Sequence, residues 1–411
     1  MELHQLDINN AFLHGYIDED LYMHPPLGYT KAKPGQVCKL KRSIYGLKQA
    51  SRQWNLELTK FLLHLGFQQS KYDYSMFTLK TGDSYIIVVA YVDDLLLAGT
   101  NLSCIQQLKT QLHDAFTIKD LGPLKYFLGI EVSRDSTGIL LNQRKYILDL
   151  LHNTAMLDCK VADCPLPQGL KLSTQAGDLL PDPEVYRRII GKLLYLNMTR
   201  PDISFAVQQL SQFLSAPRTS HFLVAQHVLR YLKGTLHHGL LYSADSTLQI
   251  HAYCDADWGA CIDSARSLTG YCVFLGTSLI SWKTKKQKVV SKSSTEAEYR
   301  SMSHTTSELT WITNLLSDLH ISIPTPIPLF CDNKAAQHIA ANPCFLERTK
   351  HLHIDVHYIR ENVASGFIAT HHVSSHLQLA DVLTKSLGAS HHKLLIFKLG
   401  LVFPDVSPIP A

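Results

Sequence analysis

The spacing of apolar residues changes several times along the chain, and each change marks an element. Residues 85–99 read Tyr-Ile-Ile-Val-Val-Ala-Tyr-Val-Asp-Asp-Leu-Leu-Leu-Ala-Gly, two apolar runs rich in β-formers around the adjacent acids Asp93 and Asp94. That pattern predicts a hairpin with both carboxylates at its turn. Leu3–Leu13 is a second strand-like run entering a turn, and it carries Asp7. From Gln49 the apolar positions Trp54, Leu56, Leu58, Phe61 and Leu62 predict a helix ending at Gly66.

Between residues 131 and 245 the pattern is mainly helical. An amphipathic stretch starts at Tyr146, a linker bearing Pro and Gly runs from Pro165 to Pro183, and helical stretches follow from Tyr186 through Phe213 and over Ala225–Leu232. The last third predicts strands over Leu248–Asp255, Gly270–Leu275 and Leu279–Trp282. A long helix then follows, for which Ser293, Ser294 and Thr295 are capping candidates with acids in the first turn. A strand at Pro328–Asp332, helices over Lys334–Ala341 and His353–Ala364, a strand at Phe367–Val373 and a C-terminal helix over Leu377–Lys385 complete it. The prolines of Phe403–Ala411 predict a disordered end.

Composition narrows this picture. At 411 residues, 45% hydrophobic and 18% charged, the chain suits a soluble globular protein of two or three domains. A net charge of +4 permits a nucleic-acid partner without arguing for one. The nine cysteines include no Cys-x-x-Cys pair, and no stretch resembles a signal peptide or a bilayer-spanning run. Free thiols in a reducing intracellular compartment follow as the expectation.

The chemistry suggested by these residues is electrostatic. Asp7, Asp93 and Asp94 brought together would make an all-oxygen site suited to Mg²⁺, which a few carboxylates and substrate phosphates usually hold. Lys39, Lys41, Arg42, Lys48 and Arg52 interleave with Tyr45 and Trp54, a combination able to hold a phosphate backbone and stack bases. By itself that run reads better as a solvated basic face. Arg187, Arg188, Lys192, Arg200, Arg230 and Lys233 are phosphate-contact candidates as a set and ordinary surface charges one by one.

Four blocks occur in a telling order: Asp7-Ile8-Asn9-Asn10-Ala11-Phe12-Leu13-His14-Gly15, Tyr45-Gly46-Leu47-Lys48-Gln49-Ala50, Tyr91-Val92-Asp93-Asp94 and Phe127-Leu128-Gly129-Ile130-Glu131. Together they resemble the reverse transcriptase of copia-type LTR retrotransposons, and the resemblance runs to about Leu387. It implies an α+β and α/β fold: a reverse transcriptase palm with partial fingers over 1–130, a helical thumb and connection over 131–245, a ribonuclease H-like domain over 246–388 and a tail over 389–411. By that resemblance Asp7 and Asp93 are ligands of Mg²⁺ (or Mn²⁺), and Asp94 supports them. Phe12 would lie under the incoming sugar and disfavour a 2′-hydroxyl; Lys48, Gln49 and Tyr91 would line the template–nucleotide pocket. Phe127, Leu128 and Gly129 would form the hairpin that grips the primer's 3′ end.

The order of strands and helices in the last third matches a ribonuclease H fold. The acids at that fold's positions make Asp255, Glu298, Asp332 and Asp381 the expected metal ligands, with Glu298 preferred to Glu296. Implied partners are an RNA template, a DNA primer, an RNA–DNA hybrid and dNTPs, with no membrane, in a cytoplasmic virus-like particle or the nucleus. His371 or His376 would help product leave. His353 and His357 stand at i, i+4, a spacing that reads more often as a helix face than as a zinc site. The sequence departs from the family at Ser51, where many members have Pro, and at Leu268, where many have Ser. It also begins six residues before Asp7, so most of the fingers would be absent and the Asp7 strand would lose neighbours, leaving apolar palm surface exposed. The alternative reading is a truncated pol relic without polymerase activity, retaining ribonuclease H or nucleic-acid binding only.

Overall fold

A computed structural model describes residues 1–341 and 353–402. The expected disorder of Phe403–Ala411 falls outside the described residues, as does the side chain of His353 and with it the His353–His357 pair. The chain divides into two compact units, Met1–Phe127 with Thr313–Ile321, and Leu128–Ile312 with Ser322–Ala411.

The first unit is built on an antiparallel sheet of six strands in the order Gln68–Gln69, Met76–Thr81, Ser84–Tyr91, Asp94–Gly99, Glu2–Ile8, Ile118–Pro123. Strand Glu2–Ile8 is paired on both sides, which corrects the expectation that it loses neighbours: Ile118–Pro123, from beyond the hairpin, supplies the second. Alternation decides the faces. Leu6, Ile8, Leu95 and Leu97 are fully buried against Trp54, Leu58 and Leu62 of helix Ala50–His64 and Leu108 and Leu112 of helix Leu102–Phe116. Each such side chain contributes about 1.5–3 kcal/mol of burial. Asp7, between Leu6 and Ile8, is thereby turned to the opposite face.

In the second unit, helices Arg144–Asn153, Pro183–Leu196, Ser204–Ser211 and Thr219–Gly234 bury a common core that includes Ile147, Leu150, Ile190, Leu193, Val228 and Leu232. Asp182 accepts from Glu184 N to start the second of these, with Pro183 in the first turn, where its missing N–H costs nothing. The region expected to be mainly helical also holds strands. Ile130–Arg134 pairs with Gly138–Asn142, which pairs with Gly239–Ser243.

The end of the chain departs most from expectation. Helix Ala389–Lys398 and strand Leu401–Val402 replace the first part of the expected tail, and the strand adds to Gly239–Ser243. Leu395, Ile396, Leu399 and Leu401 bury against Leu240, Phe274 and Leu383, which is what orders them. The expected helix Leu377–Lys385 is instead two short 3-10 turns, Ser375–Leu377 and Leu379–Leu383. Gln378 separates them, its side chain accepting from Ala380 N and donating to Cys254 O, so local capping displaces a continuous helix.

Beside this lies a five-stranded sheet in the order Ser278–Lys286, Leu268–Leu275, Ile250–Asp257, Ile327–Cys331, Ile368–His372. Its first three strands are antiparallel and the last two join in parallel, with helix Ser294–Asp318 crossing between strands. That is the order and sense of a ribonuclease H-like fold. Among the described residues, no helix is long and apolar enough to cross a membrane.

Candidate active sites

In the first unit Asp7 and Asp94 are directly opposed across the antiparallel pair, and Asp93 stands in the turn beside them. Ile8 N donates to Asp93 O at 2.8 Å, tying that turn to the Asp7 strand. Val92 holds φ +55°, an unfavourable conformation for a β-branched residue, and Trp54 Nε1 fixes it by donating to Val92 O at 2.6 Å. Gln5, on the same face as Asp7, donates to Asp94 Oδ1 at 3.1 Å. Burial raises the Asp94 carboxyl above its usual range; the Asp93 and Asp7 charges add to this and the Gln5 hydrogen bond opposes it. Burial also raises the Tyr45 phenol, with Asp93 and Asp7 contributing, so the three acids lie within electrostatic reach of one another.

Phe12 sits in the 3-10 turn Ala11–His14 that follows the Asp7 strand, its ring 4.5 Å from that of Tyr45 and its carbonyl accepting from the Ser43 hydroxyl. Gln49 immediately precedes helix Ala50–His64 without capping it through its side chain, and donates to Glu19 Oε2 at 3.4 Å, while Lys48 and Tyr91 are exposed. Leu128 and Gly129 hold φ +48° and +78°, the left-handed pair of a tight two-residue turn after Phe127.

The second cluster gathers acids from four elements. Asp255 lies in strand Ile250–Asp257, Glu298 in the first turns of helix Ser294–Asp318, Asp332 just past strand Ile327–Cys331, and Asp381 in the turn Leu379–Leu383. Ser293 starts the helix by accepting from Glu296 N at 3.2 Å. Glu296 is occupied locally, accepting from Lys292 N at 2.7 Å and pairing with Arg300 at 2.7 Å. Two residues along a helix face different ways, so Glu298 is the glutamate directed at Asp255 and Asp332. Asp255 is 1% exposed; Glu298 and Asp381 are also buried.

Burial raises all three of these carboxyls, and mutual repulsion adds to it: Asp255, Cys331 and Asp332 act on Glu298, and Asp255 and Asp332 on Asp381. Lys385 opposes this for Asp255 and Asp381. Asp257, two residues beyond Asp255, is pushed up to about 7 by burial although its carboxylate accepts from Leu268 N.

Several residues of this cluster went unread in the sequence. Lys385 Nζ donates to Asp381 Oδ1 at 2.6 Å and Asp255 Oδ1 at 3.3 Å, and the Thr384 hydroxyl donates to Asp255 Oδ2. Ser375 donates to Asp332 Oδ2 at 2.9 Å, and Cys331 Sγ donates to Glu298 Oε2 at 3.8 Å. The signal available was the i, i+4 spacing of Asp381 and Lys385, which survives even though the expected helix does not. His371 and His376 are exposed; the His371 ring lies 5.5 Å from that of Phe330.

The nuclease cluster, and not the palm acids, brings its ligand atoms to cation-binding spacing. Among the described residues, Glu298, Cys331 and Asp332 are the trio whose ligand atoms all lie within 4.8 Å of one another. Buried carboxyls raised by mutual repulsion are the environment that a cation relieves, and oxygen donors dominate the set. The palm acids are oxygen donors alone, on a half-buried rim.

Residues 1–168 match the family described as reverse transcriptase (RNA-dependent DNA polymerase). The chain is 46% identical over 400 residues, 97% of its length, to the retrovirus-related Pol polyprotein from transposon RE1 of Arabidopsis thaliana, and spans 27% of that polyprotein. It is 35% identical over 308 residues to a transposon Ty5-1 protein of Saccharomyces cerevisiae, covering 74% of this chain and 100% of the relative. Among solved structures, a foamy viral protease-reverse transcriptase in complex with RNA/DNA hybrid aligns over 91% of this chain and 44% of its own, with TM-score 0.50 and 12% identity, which speaks to the fold alone. Residues 1–168 thus carry the reverse transcriptase family's sequence, and the last third has a ribonuclease H-like fold. The chain belongs to the Pol polyproteins of copia-type transposons, and spans about a quarter of the length of the Arabidopsis relative.

Proposed function

We propose that the chain copies RNA into DNA and degrades the RNA strand of the resulting hybrid, through two separate carboxylate clusters that each hold divalent cations. The carrying observation is that acids remote in sequence converge twice: Asp7 with Asp93 and Asp94, and Asp255 with Glu298, Asp332 and Asp381. Mg²⁺ or Mn²⁺, when bound, would activate the attacking oxygen and steady the leaving one. The chain's own residues do the positioning. Asp7 and Asp93 would hold the polymerase site's ions, Asp94, held by Gln5, lies beside them, and Trp54 keeps the strained turn in place.

Phe12, packed on Tyr45, presents a ring edge where a 2′-hydroxyl would have to fit. Lys48, Gln49 and Tyr91 flank the template and dNTP, and the turn Phe127–Gly129 supports the primer end. In the nuclease site Asp255, Glu298, Asp332 and Asp381 are the ligands, the RNA strand of the hybrid is selected through its 2′-hydroxyls, and His371 or His376 assists product release.

Primer extension on an RNA template, with Asp93→Asn as control, tests the first activity; folded protein without extension rejects it. Hybrid cleavage lost in Asp332→Asn supports the second. Cleavage that survives that change undoes the ligand assignment, and no cleavage by the unaltered protein leaves nucleic-acid binding alone.

A further inference from the structure

The nuclease cluster is electrically uneven. On one side Glu298, Cys331 and Asp332 converge within 4.8 Å and, among the described residues, no cationic side chain donates to Glu298 or Asp332: Glu298 receives the Cys331 thiol and Asp332 the Ser375 hydroxyl. On the other side Asp255 and Asp381 are bridged by one ammonium, Lys385 Nζ, at 3.3 and 2.6 Å. The second Asp255 oxygen receives the Thr384 hydroxyl. An ammonium between two carboxylates occupies the place, and supplies part of the charge, that a divalent ion shared by them would.

We propose that Lys385 acts as a built-in cation on the Asp255–Asp381 side, so that the nuclease centre takes its two metal ions in unequal steps. The first enters on the Glu298–Asp332 side, and the second must displace the lysine. This rests on the nuclease reading above.

The lysine has somewhere to go. Its side chain is 38% exposed, unlike the 1% of Asp255, so withdrawal returns the charge toward water and not into a core. Lys385 and Thr384 also line a cavity of about 350 Å³, walled by Leu166, Phe205, Phe213 and Cys261, into which the stem can swing. The long, strongly hydrated, flexible Lys head suits such an exchange better than a planar guanidinium would. Lys385 is thus a positioning residue: it holds Asp255 and Asp381 together when no ion does, and sets how much free metal the second step requires.

The test is Mn²⁺ binding to the full chain, followed by calorimetry and by loss of the free-ion paramagnetic signal, without substrate. Because Lys385→Met shares an unaltered palm with the parent, the difference between the two isolates the nuclease step. Lys385→Met is expected to strengthen the weaker nuclease step at least tenfold, and thermal unfolding without metal is expected to fall to lower temperature. Lys385→Arg, which keeps the charge, should stay within about threefold of the parent. A second step no tighter in folded Lys385→Met overturns the inference. Asp332→Asn separates the failures: if it leaves the tighter nuclease step unchanged, the ions bind elsewhere and the nuclease reading itself fails.

Discussion

The two acid clusters solve one problem in opposite ways. The palm acids sit on two neighbouring strands of one sheet and in the turn beside them, half-buried, with Asp94 leaning on the neutral donor Gln5. The nuclease acids come from four elements spread over more than a hundred residues and are mostly buried, with Lys385 as their principal countercharge. Solvent moderates the repulsion in the first case; in the second the fold must hold it. A rim of acids can be assembled cheaply and left open to nucleotides, whereas a buried set is preorganised at a cost that bound cations offset.

The largest effects should fall on activity. Asp93→Asn is expected to lower primer extension by about three orders of magnitude or more and leave hybrid cleavage within twofold, with Asp332→Asn the mirror image. Loss of both activities in either variant would dissolve the distinction between the sites.

A buried acid outside both clusters sharpens the contrast on the stability scale. Asp202, fully buried, is paired at 2.7 Å with the equally buried Arg200, receives the Tyr231 hydroxyl at 2.7 Å, and its carboxyl is lowered to about 2, burial being outweighed by the arginine. Asp202→Ala strands that guanidinium and should destabilise the second unit by about 3–5 kcal/mol in chemical denaturation. Smaller and opposite in sign, Glu298→Gln in metal-free protein should stabilise by about 1–3 kcal/mol, because it removes a carboxyl whose ionisation the fold resists.

The same asymmetry has a pH signature. A carboxyl with a raised folded value binds its proton more tightly folded than unfolded, so the metal-free parent should lose stability as pH rises above the ordinary carboxylate range. Added Mg²⁺ should flatten that slope, and Glu298→Gln should reduce it; a slope that rises with pH over the same window would refute the account. At the small end, Gln5→Ala removes one hydrogen bond to Asp94 and should cost about 1 kcal/mol and no more than tenfold in extension.

Much of this was legible because local pattern and cluster chemistry coincide. The Ser84–Tyr91 and Asp94–Gly99 strands are apolar runs rich in β-formers, and the adjacent acids stand where the two runs meet. Helix Ala50–His64 and the strand–helix order of the last third were equally plain. What escaped reading depends on partners distant in sequence. Ile118–Pro123 carries Lys119, Asp120, Gly122 and Pro123, poor strand formers that only pairing with Glu2–Ile8 explains. Ala389–Lys398 begins with Ser390, His391 and His392 and lies close to prolines, so composition argued against an element that Leu395 and Ile396 anchor. Lys385 was visible as a residue, but its bond to Asp255 follows from tertiary placement alone.

The closing strand has a practical edge. Because Leu401–Val402 is hydrogen-bonded to Gly239–Ser243, residues that precede the nuclease sheet are zipped to residues that follow it. Excising the nuclease as a separate module by cutting near residue 245 and again near 388 would sever both halves of that clasp and bare the greasy underside that Leu240, Leu395 and Leu399 now hide. Such a fragment should aggregate, and a protease nick at either place should loosen the other.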